Sequence, residues 1–196
     1  MSKLKKLKFS INKNEFTLPL DSYREQTWGG SVEKYIHMSA KNSATVIKQF
    51  VKQNFPSLKV WAVSDTYSGG SSTRIYVCNP DGTEVDYDIF KQIKQWKHIL
   101  QGGNFNGMED IYEYREDELT TDNGMALKYF PSYIFIDNKP QWGSVEYWLN
   151  QYNEYKSNIN NPDYSKQREI MNEKYNGSFL EMNKTYMTKK EYERCS

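Results

Sequence analysis

Between Ser43 and Tyr155 the apolar residues switch from helical to extended spacing and back, and this alternation restricts the fold more than any other feature of the chain. From about Ser43 to Asn54, Val46, Ile47, Phe50 and Val51 recur at helical intervals, and Pro56 follows the end. Leu58 to Val63 then reads as a strand, with Leu58, Val60 and Ala62 on one face and Trp61 and Val63 on the other. A polar stretch, Tyr67 to Ser72, leads into a second strand, Thr73 to Cys78, closed by the turn Asn79-Pro80-Asp81-Gly82. Thr83 to Asp86 has capping-box spacing, with Asp in place of Glu, ahead of a helix carrying Phe90, Ile93, Trp96, Ile99 and Leu100. Gly102-Gly103 is a natural stop for that helix. Strands are expected at 110–115 and 132–136, and a third helix at 144–155.

The order α-β-β-α-β-β-α predicts an α+β fold with a four-stranded, mainly antiparallel sheet packed against helices. Phe50, Phe90, Ile93, Trp148 and Leu149 are expected in the core, each on the apolar stripe of its helix. Three segments follow: a lead-in over 1–39, the core domain over 40–157, and a polar, partly helical tail over 158–196. In the lead-in Phe16, Leu18 and Leu20 alternate as in a strand, which Pro19 confines to an edge.

Composition excludes several functions. The 26 Lys and Arg nearly cancel the 25 Asp and Glu, so no broad positive field of the nucleic-acid-binding kind surrounds the chain. The densest basic patch, Lys3, Lys5, Lys6 and Lys8, reads as a solvated tail. No run approaches the roughly 20 apolar residues of a membrane span. Cys78 and Cys195 are far apart and lack zinc or redox spacing, so Cys78 is expected to be a small core residue in a reducing cytoplasm. Aromatic residues, 15% of the chain with 16 Tyr among them, exceed what a core needs and favour an interaction surface.

No catalytic or metal constellation emerges. The two histidines, His37 and His98, accompany no nucleophile-elbow motif. Asp81, Glu84, Asp86 and Asp88 lack EF-hand spacing and suit a helix N-terminus. No cofactor is implied, and the chain reads as a binding protein. The candidate binding residues are Asp65, Tyr67, Ser68, Gly69, Gly70, Ser71 and Ser72, whose glycines and hydroxyls suit an anion or a peptide backbone. The stretch is not a P-loop, because it lacks the GK[ST] ending and precedes a strand. A second set, Gly102, Gly103, Gly107 and Asp110, is expected beside the first on one face.

Two blocks carry a family resemblance. One is Phe55-Pro56, Lys59-Val60 and Val63-Ser64-Asp65, continuing through Tyr67 to Ser72. The other is Gly102-Gly103, Phe105, Gly107-Met108, Asp110, Tyr112 and Tyr114, with Tyr133-Ile134-Phe135 beyond. Over about 40–155 the chain resembles the large polyvalent protein-associated domain 29 family. The resemblance implies an accessory protein of a bacteriophage or conjugative element, one that binds and modulates a host protein, such as a defence protein, in the bacterial cytoplasm. Two alternatives stand beside it: a binder of a small anionic ligand or nucleotide, and a virion or DNA-processing component. Contact with nucleic acid is not favoured by the charge balance, and no membrane is involved.

Overall fold

The computed structural model describes residues 6–140 together with Tyr147 and Asn150. The expected third helix lies mostly outside the described residues, as do Trp148 and Leu149, the tail from 158 on, and Lys3 and Lys5. Among the described residues no helix is long and apolar enough to cross a membrane.

The fold is α+β, and it divides into two units. The first comprises Met1–Val77 and Asp86–Asp137. It opens with a hairpin, β1 (Lys6–Ile11) and β2 (Asn14–Pro19), whose turn residues Asn12 and Lys13 both take positive φ. Asn tolerates that region better than most residues, and the Asp122 carboxylate accepts from the Lys13 backbone N–H at 2.8 Å. β3 (Tyr23–Trp28) and β4 (Ser31–His37) make a second antiparallel hairpin. The expected lead-in is thus strand-rich, with alternation in β2 ending at Pro19.

Helix α1 (Ala40–Asn54) starts at Ser39, whose hydroxyl accepts from Asn42 N–H. Its buried stripe includes Val46, Ile47, Phe50 and Val51, as the spacing predicts. β5 (Lys59–Tyr67) and β6 (Gly70–Cys78) follow as a hairpin, both longer than expected. Helix α2 (Tyr87–Leu100) is capped by Asp86, whose carboxylate accepts from Asp88 N–H. The cap therefore sits at the last residue of the Thr83–Asp86 box. Thr83 instead hydrogen-bonds Asp81 through both its N–H and its hydroxyl. Ile93, Trp96 and Leu100 are buried on α2, while Phe90 is only half-buried, because its place on the stripe falls at the margin of the contact. Trp96 joins the two ends of this core, with its ring 5.2 Å from Phe16 and 4.9 Å from Phe50.

After α2 come β7 (Gly103–Asn106) and β8 (Ile111–Tyr114), an antiparallel pair that forms its own two-stranded sheet. β9 (Leu119–Thr120) and β10 (Ala126–Lys128) extend the β3–β4 sheet, in the order β3-β4-β10-β9. β11 (Tyr133–Asp137) lies beside β6, giving the order β11-β6-β5. The expected single four-stranded sheet is corrected in two respects. Residues 111–114 pair with 103–106, not with the other three strands, and β11 runs parallel to β6. α2 and the hairpin supply the long crossover that a parallel pair needs.

The second unit comprises Cys78–Val85 and Asn138–Ser196. Within it the Asn138 side chain holds the Val85 backbone from both sides, accepting from its N–H at 2.7 Å and donating to its carbonyl at 2.8 Å. Asn150 donates to the Gly82 carbonyl. Cys78 is fully buried, as expected.

Candidate functional site

Strand alternation sorts the β11-β6-β5 sheet into two faces. Thr73, Ile75 and Val77 of β6 and Ile134 and Ile136 of β11 are buried on the inner face. The outer face receives Ser72, Arg74 and Tyr76 from β6 and Tyr133, Phe135 and Asp137 from β11, paired row by row in the parallel register. The two-residue turn Ser68-Gly69 sets Tyr67 opposite Gly70, hence Ser64 opposite Thr73 and Trp61 opposite Tyr76. Side-chain contacts agree: the Ser64 and Thr73 hydroxyls lie 2.9 Å apart, and the Trp61 and Tyr76 rings stack at 5.8 Å. Trp61, Val63, Asp65 and Tyr67 therefore share the outer face.

That face is largely aromatic. Tyr133 and Phe135 are near parallel, 19° apart with centroids at 6.2 Å, and Phe135 remains 40% exposed. The Arg74 guanidinium lies 4.9 Å above the Phe135 ring and pairs with Asp137 at 3.6 Å. Such a cation–π contact holds the arginine flat against the sheet. The β7–β8 hairpin continues the surface. Phe105 stands opposite Tyr112, and Tyr112 packs edge-on against both Tyr114 and Tyr133. The Tyr112 hydroxyl donates to the Ser132 carbonyl at 2.5 Å. Burial, with Tyr133, Tyr114 and Tyr67 around it, pushes its pKa up to about 12.

Of the two sets singled out in the sequence, Gly70 lies against Ser132 and Tyr67 lies near Tyr112, while Gly102, Gly103 and Gly107 face other neighbours. A Cβ on Gly70 would come 2.5 Å from Ser132 Oγ and 3.1 Å from the Tyr67 ring, so Gly70 leaves room for both. Their chemistry differs from the expectation. Ser68 to Ser72 is a tight turn and the start of a strand, because Gly69 takes φ of +90° and lets β5 reverse directly into β6. The strand sends Ser71 and Ser72 to opposite faces, so the three serines do not converge. Gly102 and Gly103 admit close backbone approach. A Cβ on Gly102 would meet Phe130 O at 3.2 Å, and one on Gly103 would meet Glu113 O at 2.1 Å. Gly107 sits in the β7–β8 turn, where a Cβ would make only an ordinary contact with the Phe105 ring at 3.9 Å, and Asp110 closes that turn at φ +55°.

Side chains engage part of each edge of this sheet. On β11, Gln101 accepts from Ile134 N–H at 2.9 Å and donates to the Gly103 carbonyl at 2.6 Å, while Tyr112 takes the Ser132 carbonyl. On β5, Thr66 N–H, which the turn register directs away from β6, donates to its neighbour Asp65 at 2.8 Å. Asp65 thus has a structural task. These contacts obstruct strand addition at Ile134 and Thr66 and leave the aromatic face as the broad surface of the sheet.

Elsewhere the titratable groups serve structure. His98 is exposed on α2. His37 is half-buried edge-on against Tyr129, and burial with the nearby Arg24 lowers its pKa. Asp86 caps α2 and Asp81 holds its turn. Among the described residues no group of three or more His, Cys, Asp or Glu is placed to hold a metal. Reading the sequence missed Phe105, Arg74, Phe135 and the acidic residues flanking Tyr114. The last had a visible signal, the six carboxylates gathered between Glu109 and Glu118.

The family model for large polyvalent protein associated domain 29 matches residues 38–144, just over half the chain. The match runs from the entry to α1 past the end of β11, so it contains the aromatic face entire. No curated protein and no solved structure matches the chain.

Proposed function

Because this chain belongs to the large polyvalent protein associated domain 29 family, we propose that it is an accessory domain of a mobile genetic element that acts by binding a host protein. The observation that carries this reading is the open outer face of the β11-β6-β5 sheet, continued by the β7–β8 hairpin. Aromatic residues around an arginine are the composition of interface hot spots, which bury large area at small entropic cost. Here Arg74 lies over Phe135, while Tyr133, Tyr76 and Tyr112 share the surface, and every ring is braced by a neighbour.

A single-stranded nucleic acid is the second reading, since bases stack on such platforms. It is less favoured, because phosphate contacts supply most of that affinity and Arg74 is already paired with Asp137. The test is affinity capture from a bacterial host lysate with the intact chain and a Phe135→Ser, Tyr114→Ser variant, followed by titration of the captured protein. Loss of capture with an unchanged melting temperature supports the reading. Equal capture by both proteins, or recovery of nucleic acid alone, refutes it.

A further inference from the structure

The hairpin that extends the aromatic face bears an excess of negative charge. Glu109, Asp110, Glu113, Glu116, Asp117 and Glu118 are all exposed, and none makes an ion pair among the described residues. Arg115 is the one cation within 109–118, and it is committed elsewhere. Its guanidinium donates to the Ile99 carbonyl at 2.5 Å, at the C-terminal end of α2, and lies over the Phe130 ring. Asp65 adds a carboxylate on the sheet face, while Arg74 and Asp137 offset each other. The whole chain carries only +1, so this excess is local.

The same stretch exposes apolar side chains at unusual levels. Met108 at the tip is 98% exposed, Tyr114 74% and Phe105 53%. An unbranched methionine adapts to irregular pockets. Exposed apolar anchors within a charged rim are the mark of a docking surface, and the sign of the rim selects the partner.

We infer that the partner presents a basic, lysine- and arginine-rich surface with an apolar recess, into which the β7–β8 hairpin docks by its tip and its aromatic side. This rests on the proposed protein-binding role and narrows it. The acidic rim repels a polyanion, so the hairpin and a nucleic acid are alternatives for such a surface. The chain then occupies a site on the host protein where polyanions also bind. Met108 and Phe105 supply the apolar contact, and the carboxylates supply steering and sign selection.

The experiment uses the full chain and three probes: a 15-residue Lys/Leu peptide, its Glu/Leu counterpart, and a 15-nucleotide oligothymidylate. Binding is followed by amide resonances. The Lys/Leu peptide is expected to shift residues 105–118, with affinity falling about tenfold between low and physiological salt. The other two probes are expected to leave those residues unmoved. Glu116→Lys, Asp117→Lys and Glu118→Lys together should weaken the Lys/Leu peptide about tenfold and admit the Glu/Leu peptide. Equal binding of the two peptides, shifts mapping away from the hairpin, binding of the oligothymidylate there, or no shift with millimolar Lys/Leu peptide would each overturn the inference. A host protein lost by Phe135→Ser but retained by the triple reversal leaves the protein-binding role standing and removes the basic partner. One retained by both variants removes both.

Discussion

Gln101→Met is the most informative single substitution, because Gln101 closes the β11 edge from a buried position. Only 8% of the residue is exposed, and its amide makes three hydrogen bonds: from Ile134 N–H, to the Gly103 carbonyl and to Asn104 Oδ1. Methionine is close to it in length and volume, so little cavity forms. What is lost is the partner of two buried backbone groups, Ile134 N–H and Gly103 C=O. Each orphaned group costs about 1–3 kcal/mol, and better burial of the thioether returns part of that, leaving a net loss of about 2–4 kcal/mol. For a chain of this length that corresponds to a fall in melting temperature of about 5–15 °C. Urea unfolding measures the loss, and amide exchange localises it: Ile134 should lose protection more than Ile136 on the same strand. A change below about 0.5 kcal/mol, with Ile134 as slow to exchange as before, would show that Gln101 does not seal the edge.

Four further outcomes are expected. Gly103→Ala should destabilise by about 1–3 kcal/mol, because its Cβ would sit 2.1 Å from the Glu113 carbonyl oxygen, whereas Gly107→Ala, whose Cβ would make only an ordinary contact with Phe105, should stay within about 0.5 kcal/mol in thermal unfolding. Trp96→Ala should cost about 3–5 kcal/mol, and Phe90→Ala, half-buried, clearly less. His37 has a lowered pKa in the folded chain, so folding favours its neutral form. Its contribution is complete above the unfolded value near 6.5 and is lost as pH falls below it, and His37→Gln should flatten the stability profile over that interval. Tyr112, raised to about 12, should contribute a late step to an alkaline absorbance titration, and Tyr112→Phe should remove that step.

The elements with strong local signals were legible and their assembly was not. α1 and α2 follow from apolar stripes bounded by Pro56 and by Gly102-Gly103, and β5, β6 and β11 from their β-branched and aromatic runs. β7 was invisible, because Gly-Asn-Phe-Asn has no strand propensity and is held in place by pairing with β8. Without β7, the Ile111–Tyr114 run had no partner of its own and was assigned to the main sheet. β3 and β4 hold strand formers such as Tyr23, Thr27, Val32, Tyr35 and Ile36, but most of their residues are exposed, so no clean apolar alternation marks them. The parallel pairing of β11 with β6 is set by tertiary packing of the crossover, which no local pattern encodes.

The site was legible in its materials only. Aromatic excess pointed to a surface, and both glycine blocks border it, but the face became identifiable only when register placed Tyr133, Phe135 and Arg74 in rows. The serines attracted notice for their hydroxyls, and the strand geometry divides them. The acidic hairpin escaped because a net charge of +1 averages over the chain what the fold gathers in one place.

The engaged groups on the sheet edges have a consequence for self-association. A bare strand edge is a template on which another chain can pair. On β11 a glutamine side chain takes the Ile134 N–H, and on β5 an aspartate takes the Thr66 N–H. An incoming strand would have to displace a side chain at each of these positions, which raises the cost of strand exchange between copies of this sheet.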